Sequence, residues 1–214
     1  VMAQLFAIHP LNPQKRLLER AAELVRGGAV IVYPTDSCYA LGCHLGDRNA
    51  IDRIRAIRQF DENHHLTLVC QDLSQVSQYA VVDNRQYRAL KAATPGSFTV
   101  ILKATREVPR RLQHPKRSTI GLRVPEHAVA QGLLQALGEP LLSATMILPD
   151  DPMPLNDAEE IREKLEKQVD LVVDSGSCGL EATTVVDLTG EVPELVRRGR
   201  GDPSVFGLSA DGER

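Results

Sequence analysis

No stretch of the 214-residue chain is apolar for the length that a membrane span requires. Nor is there a signal-peptide pattern, so the expectation is a soluble protein of the cytoplasm. The four cysteines (Cys38, Cys43, Cys70 and Cys178) form no C-x-x-C pair and have no histidine at a zinc-like spacing. Free reduced thiols are expected instead. A net charge of −3 removes whole-protein basicity as an argument for nucleic acid, so any such case must rest on local patches. Internal repeats, low-complexity segments and linkers are missing too. A single domain is expected over 1–214, with an ordered core over 10–203 and a loose polar tail over 204–214. The sequence is silent on oligomeric state, and monomer is taken as the default.

What is present alternates between helix and strand. Asn12-Pro13 is a favourable helix start, and the helix it opens should stop at Gly27-Gly28. Further helices are expected over 49–58, 84–93, 127–138 and 156–168, the last capped by Asn156 or Asp157. Strands are expected at "AVIVYP", "LTLVC", "SFTVILKA", "TIGLRV", "PLLSATMIL", "VDLVVDSG", "ATTVVDL" and "ELVRRG". Two pairs of strands follow one another without a helix between them. That pattern predicts an α/β fold with a mixed, twisted sheet and helices on its faces.

Polar groups gather where such strands end. The loop in "YPTDSCYALGC" carries Thr35, Asp36, Ser37 and Tyr39 just beyond a buried strand, a usual place for ligands in α/β proteins. Cys38 has no neighbouring histidine to serve as base, which argues against a thiol hydrolase. In the helix ending at Arg58, residues Ile51, Ile54 and Ile57 share one face. Arg58 leans toward that face while Arg53 points away. His64 and His65 follow in the return to the sheet.

Between Lys103 and Arg123 the chain carries seven cations against a single Glu107. Arg110, Arg111, Lys116 and Arg117 lack apolar periodicity, so they form a solvated patch able to attract phosphates. Arg123 lies inside a strand pattern, where a charge is costly unless a ligand or an internal carboxylate meets it. Ser143 and Thr145 share a strand face, Thr183 and Thr184 open a strand, and Arg197, Arg198 and Arg200 sit among glycines that would let backbone approach a ligand. Together these suggest a cleft for an anionic, hydrogen-bonding ligand.

The series "YPTDSCYALGC", "IRAIRQF", "TPGSFTVILKA", "TIGLRVP", "PLLSAT" and "ATTVVDL…VRRG" resembles, in order and spacing, the YrdC-type threonylcarbamoyl-AMP synthase family, most closely its YciO branch. The resemblance runs over nearly the whole chain. It implies a YrdC-like mixed α/β fold with a concave basic surface that binds double-stranded RNA or tRNA. It implies a nucleotidyltransferase activity that joins L-threonine, bicarbonate and ATP, with Mg2+ entering only with ATP and no metal held by the protein itself. The product would feed threonylcarbamoyladenosine modification of tRNA. Carried over by motif, Thr35, His64 (or His65), Arg123, Ser143 and Thr183 become L-threonine contacts. Arg58, Thr119, Thr145 and Arg197 become nucleotide contacts. The chain departs from the family twice: the Lys-x-Arg motif reads Arg58-Gln59-Phe60, and Ser-x-Asn reads Thr145-Met146-Ile147. Weakened ATP handling is the expected consequence. An RNA-binding module without synthesis, and an enzyme acting on a related acyl- or carbamoyl-adenylate, stand as alternatives.

Overall fold

Ten short strands and six α-helices are built in the computed structural model, which describes residues 2–60 and 66–209. In chain order they are β1 (Gln4–Ala7), α1 (Lys15–Arg26), β2 (Ile31–Tyr33), β3 (Ala40–His44), α2 (Arg48–Arg58), β4 (Thr67–Val69), α3 (Leu73–Tyr79), α4 (Asn84–Ala93) and β5 (Phe98–Lys103). There follow β6 (Thr119–Arg123), α5 (Ala128–Leu137), β7 (Leu141–Thr145), α6 (Ala158–Leu165), β8 (Leu171–Asp174), β9 (Thr184–Asp187) and β10 (Glu194–Arg197). The strands form one sheet in the order β1-β8-β2-β3-β7-β4-β6-β5-β9-β10, and it is mixed, as the uninterrupted strand pairs predicted.

Several elements depart from the sequence reading. α1 begins at Lys15, behind Gln14, and not at Asn12-Pro13. The His9 Nδ1 accepts the backbone N–H groups of Leu11 and Asn12, so that stretch closes a turn and Asn12 caps nothing. "YPTDSCYALGC" is only half loop, because its end is β3. There Gly42 faces the Tyr33 ring, and a Cβ at Gly42 would lie 2.8 Å from the ring. α3, which the sequence reading passed over, buries only Val76 and owes its start to the Asp72 cap on the Gln75 N–H. Of the two proposed caps for α6, Asp157 is the one that accepts, from the Glu160 N–H. Packed structure also passes the expected limits of 10–203. β1 pairs with β8, and Phe206 is buried edge-on against Phe98 at 5.3 Å between ring centroids.

Alternating side chains divide the core between the two faces of the sheet. α1 and α5 pack together on one face, with Leu18 seated where Gly132 has no side chain, and cover Ile31, Tyr33, Leu171 and Val173. The other helices cover the opposite face around Val32, Leu41, Leu68, Leu122, Leu142 and Val172. On the α1/α5 face, no residue of β5, β6 or β9 belongs to the buried cluster, so the sheet continues there without a helix over it. That uncovered stretch is where the polar strand residues gather.

Candidate functional site

Register alone fixes the floor of the site. Gly42, Ser143, Thr67, Gly121, Ile101 and Asp187 lie side by side across β3, β7, β4, β6, β5 and β9, and the middle four line the site. Val69 and Arg123 form part of the next row, as do Val185 and Arg197. The floor opens into a cavity of about 270 Å3. Of the residues singled out from the sequence, Thr35, Arg58, Arg123, Ser143, Thr145, Thr183 and Arg197 all line it.

At one end the loop after β2 reaches over the sheet. Thr35 holds this loop: its hydroxyl donates to the Cys38 carbonyl at 2.6 Å and accepts the N–H groups of Ser37 and Cys38. Ser37 Oγ then accepts from Arg123 Nη1 at 3.0 Å, while Arg123 Nη2 pairs with Asp36. The other Asp36 oxygen accepts the Glu126 N–H at 2.8 Å. The strand arginine therefore has the internal carboxylate that its burial demands, and its Nε remains buried without a partner among the described residues. Asp36 stands outside this cavity, on the wall of a neighbouring one that also includes Glu126 and His127.

Hydroxyls dominate the middle. Ser143 Oγ donates to the Leu41 carbonyl at 2.5 Å, which makes the Tyr33 hydroxyl the donor in their 2.7 Å contact. Burial pushes the Tyr33 phenol up to about 12. Thr183 and Thr99 share a hydrogen bond of 2.7 Å. Thr184 turns to the other side and donates to the Gly201 carbonyl.

The far end holds the other two arginines. Arg58 donates to the Thr145 carbonyl at 2.5 Å and lies over the Phe60 ring, 4.3 Å from its centroid. Burial, reinforced by repulsion from Arg197, pushes the Arg58 guanidinium down to about 10, which leaves it protonated at neutral pH. Arg197 donates to the Thr183 carbonyl at 2.8 Å. Neither arginine has a carboxylate partner among the described residues. Arg53, by contrast, turns away and pairs with Asp170 at 2.9 Å, as the helix periodicity predicted.

Other candidates fall elsewhere. Thr119 is buried on β6 opposite Lys103, one alternation beyond Gly121 and outside the cavity lining. Arg110, Arg111, Lys116 and Arg117 are exposed, and Arg117 approaches Asp187 at 3.9 Å. His64 and His65 lie outside the described residues. The glycines around Arg197 to Arg200 serve the protein itself: a Cβ on Gly199 would strike the carbonyls of Ala182 and Thr183, so the close approach is to backbone and not to a ligand. Burial raises the Cys38 thiol, which agrees with its exclusion as a nucleophile. The sequence reading missed Tyr33, Thr67, Thr99 and Gly121 as lining residues. Their signal was a hydroxyl or a glycine at alternate positions of otherwise apolar strands.

Comparison with known proteins agrees with this architecture. The Sua5/YciO/YrdC family model, described as "Telomere recombination", matches residues 23–199. YciO of Escherichia coli K12 is 55% identical over 205 residues, covering 96% of this chain and 100% of the relative. The crystal structure of E. coli YciO superposes with a TM-score of 0.92 over the same shares. A threonylcarbamoyl-AMP synthase of Halorhodospira halophila is 31% identical over 172 residues, 80% of this chain and 88% of the relative. P. abyssi Sua5 complexed with L-threonine shares the fold, with a TM-score of 0.83 at 23% identity over 98% of this chain and 66% of that one. Among the described residues no helix is long and apolar enough to cross a membrane. The chain belongs to the Sua5/YciO/YrdC family.

Proposed function

We propose that the protein is a threonylcarbamoyl-AMP synthase of the cytoplasm with slowed adenylation. L-Threonine and bicarbonate give a carbamate and water; a carbamate oxygen attacks the α-phosphorus of Mg2+-bound ATP; threonylcarbamoyl-AMP and pyrophosphate result. Arg123 faces the amino-acid carboxylate through its free Nε and the remaining N–H groups of its fork. Arg58 and Arg197 face the phosphates, where positioned charge is what phosphoryl-type chemistry requires. One observation carries the reading. All three arginines and four of the five hydroxyls that the motifs divide between amino acid and nucleotide come together in one cavity, with Thr119 alone of these standing outside its lining. Slowing follows from Phe60, which offers Arg58 a ring in place of a second cation. The test is pyrophosphate release by purified protein with ATP, Mg2+ and bicarbonate. Release that depends on L-threonine, and that falls roughly a hundredfold in Arg123→Ala, is expected. No threonine-dependent release, even at high protein concentration, would exclude synthesis.

A second reading, RNA docking, is favoured by one separate observation. Arg110, Arg111 and Lys116 are exposed, without carboxylate partners among the described residues. They adjoin the Thr119 and Lys103 end of the open sheet face, so RNA there would lie beside the cavity.

A further inference from the structure

The cavity's hydroxyls are not equal, because most are already committed. Thr35 spends its proton on the Cys38 carbonyl. Ser143 spends its own on the Leu41 carbonyl and accepts from Tyr33. Thr99 and Thr183 are bonded to each other, and Thr183 Oγ also accepts from Arg197 at 3.3 Å. Tyr39 donates to the Gly176 carbonyl. Thr67 is different. It lines the cavity from β4, half-buried, and its hydroxyl has no partner among the described residues.

The place beside Thr67 is shaped to receive something. Gly121 is its neighbour across the sheet. A Cβ on Gly121 would stand 3.6 Å from Thr67 Oγ and 3.2 Å from Thr99 Cγ2, so the missing side chain leaves a seat with one polar and one apolar wall. Leu68, the residue after Thr67, points into the opposite core, which fixes the Thr67 side chain on the cavity face.

From this census we infer that Thr67 is the specificity-determining residue for the side chain of the bound amino acid. Its hydroxyl selects a small β-branched side chain that itself carries a hydroxyl, seated over Gly121. A methyl in the same place would leave Thr67 unpaired as it lost its contact with water, and a site built around a hydrogen bond rejects the analogue that lacks it. The inference rests on the synthase reading for the identity of the ligand as an amino acid.

The experiment is calorimetric titration of L-threonine and of L-valine into the full chain, into Thr67→Val and into Thr67→Ser. Valine is β-branched and suits a strand, so Thr67→Val should melt close to the parent. The parent should prefer L-threonine by about tenfold. Thr67→Val should bring the two ligands within about twofold, and Thr67→Ser should keep the preference. Gly121→Ala should weaken both ligands by filling the seat. A parent that binds both equally, or a preference that survives Thr67→Val, overturns the inference and leaves the synthase reading standing. A parent that binds neither amino acid overturns the reading beneath it as well.

Discussion

The two ends of the cavity handle positive charge in opposite ways. At one end Arg123 is almost wholly buried and answered from within by Asp36, Ser37 and the Gly96 carbonyl. At the other, Arg58 and Arg197 have backbone carbonyls and an aromatic face but no described carboxylate. The first end is therefore close to neutral and rigid, suited to a hydrogen-bonded zwitterion. The second keeps an unanswered charge, and Arg58 titrates lower partly because Arg197 repels it. A fully buried cation such as Arg123 needs an internal partner, whereas the half-buried Arg58 and the exposed Arg197 can keep their charge open to a visitor.

Breaking the neutral end should have the largest effect. Asp36→Ala leaves Arg123 buried against a hydroxyl and a carbonyl only, a loss of roughly 3–5 kcal/mol in stability. Thermal melting should register it as a fall of about ten degrees or more. Adding Arg123→Met to that variant should recover much of the loss, because the pair is then removed together. A single variant that melts like the parent would show that Asp36 does not answer the charge. At the open end the change of interest is a gain. Phe60→Arg with Ile147→Asn should raise threonine-dependent pyrophosphate release by roughly a hundredfold or more, since each restores a contact of about 1.5–3 kcal/mol. No rise in that assay would overturn the proposal that the missing cation slows adenylation.

The contrast between the ends also explains how much could be read without coordinates. A charge in an apolar strand is conspicuous, so Arg123 stood out and its need for a partner, a ligand or an internal carboxylate, followed from burial cost alone. Its partner came from a loop 87 residues away in sequence, and only tertiary structure could choose Asp36 among the acids. Arg58 was legible because helix periodicity put it beside Ile51, Ile54 and Ile57, all buried as expected. β3 was hidden because its start was taken into the loop of "YPTDSCYALGC", whereas Gly42 is a strand residue that leaves room for the Tyr33 ring. Thr67 and Thr99 were passed over for a related reason. Threonine is an ordinary strand residue, and nothing local says which face of a strand is left uncovered.

Beyond the cavity, the exposed basic segment offers a smaller and more diffuse effect. If RNA lies along it, Arg110→Ala, Arg111→Ala and Lys116→Ala together should reduce the salt slope of binding by about three and leave pyrophosphate release within about twofold. Binding that is indifferent to salt, or to these three changes, would separate the patch from any nucleic-acid role.

The smallest predicted effect is an absence of change over most of the accessible pH range. Arg58 has its folded pKa lowered to about 10, so its proton is held below that value and released as pH rises through it. The sign is that of a buried cation: desolvation opposes folding while the charge is present, and this opposition is relieved above pH 10. Anion binding moves the other way. Between pH 7 and 9 the group stays roughly nine-tenths protonated or more, so pyrophosphate affinity should vary little on its account. Above pH 10 the affinity should fall, and the part of the fall due to this end should vanish in Arg58→Met. Equal alkaline loss in parent and variant would place the titrating cation elsewhere.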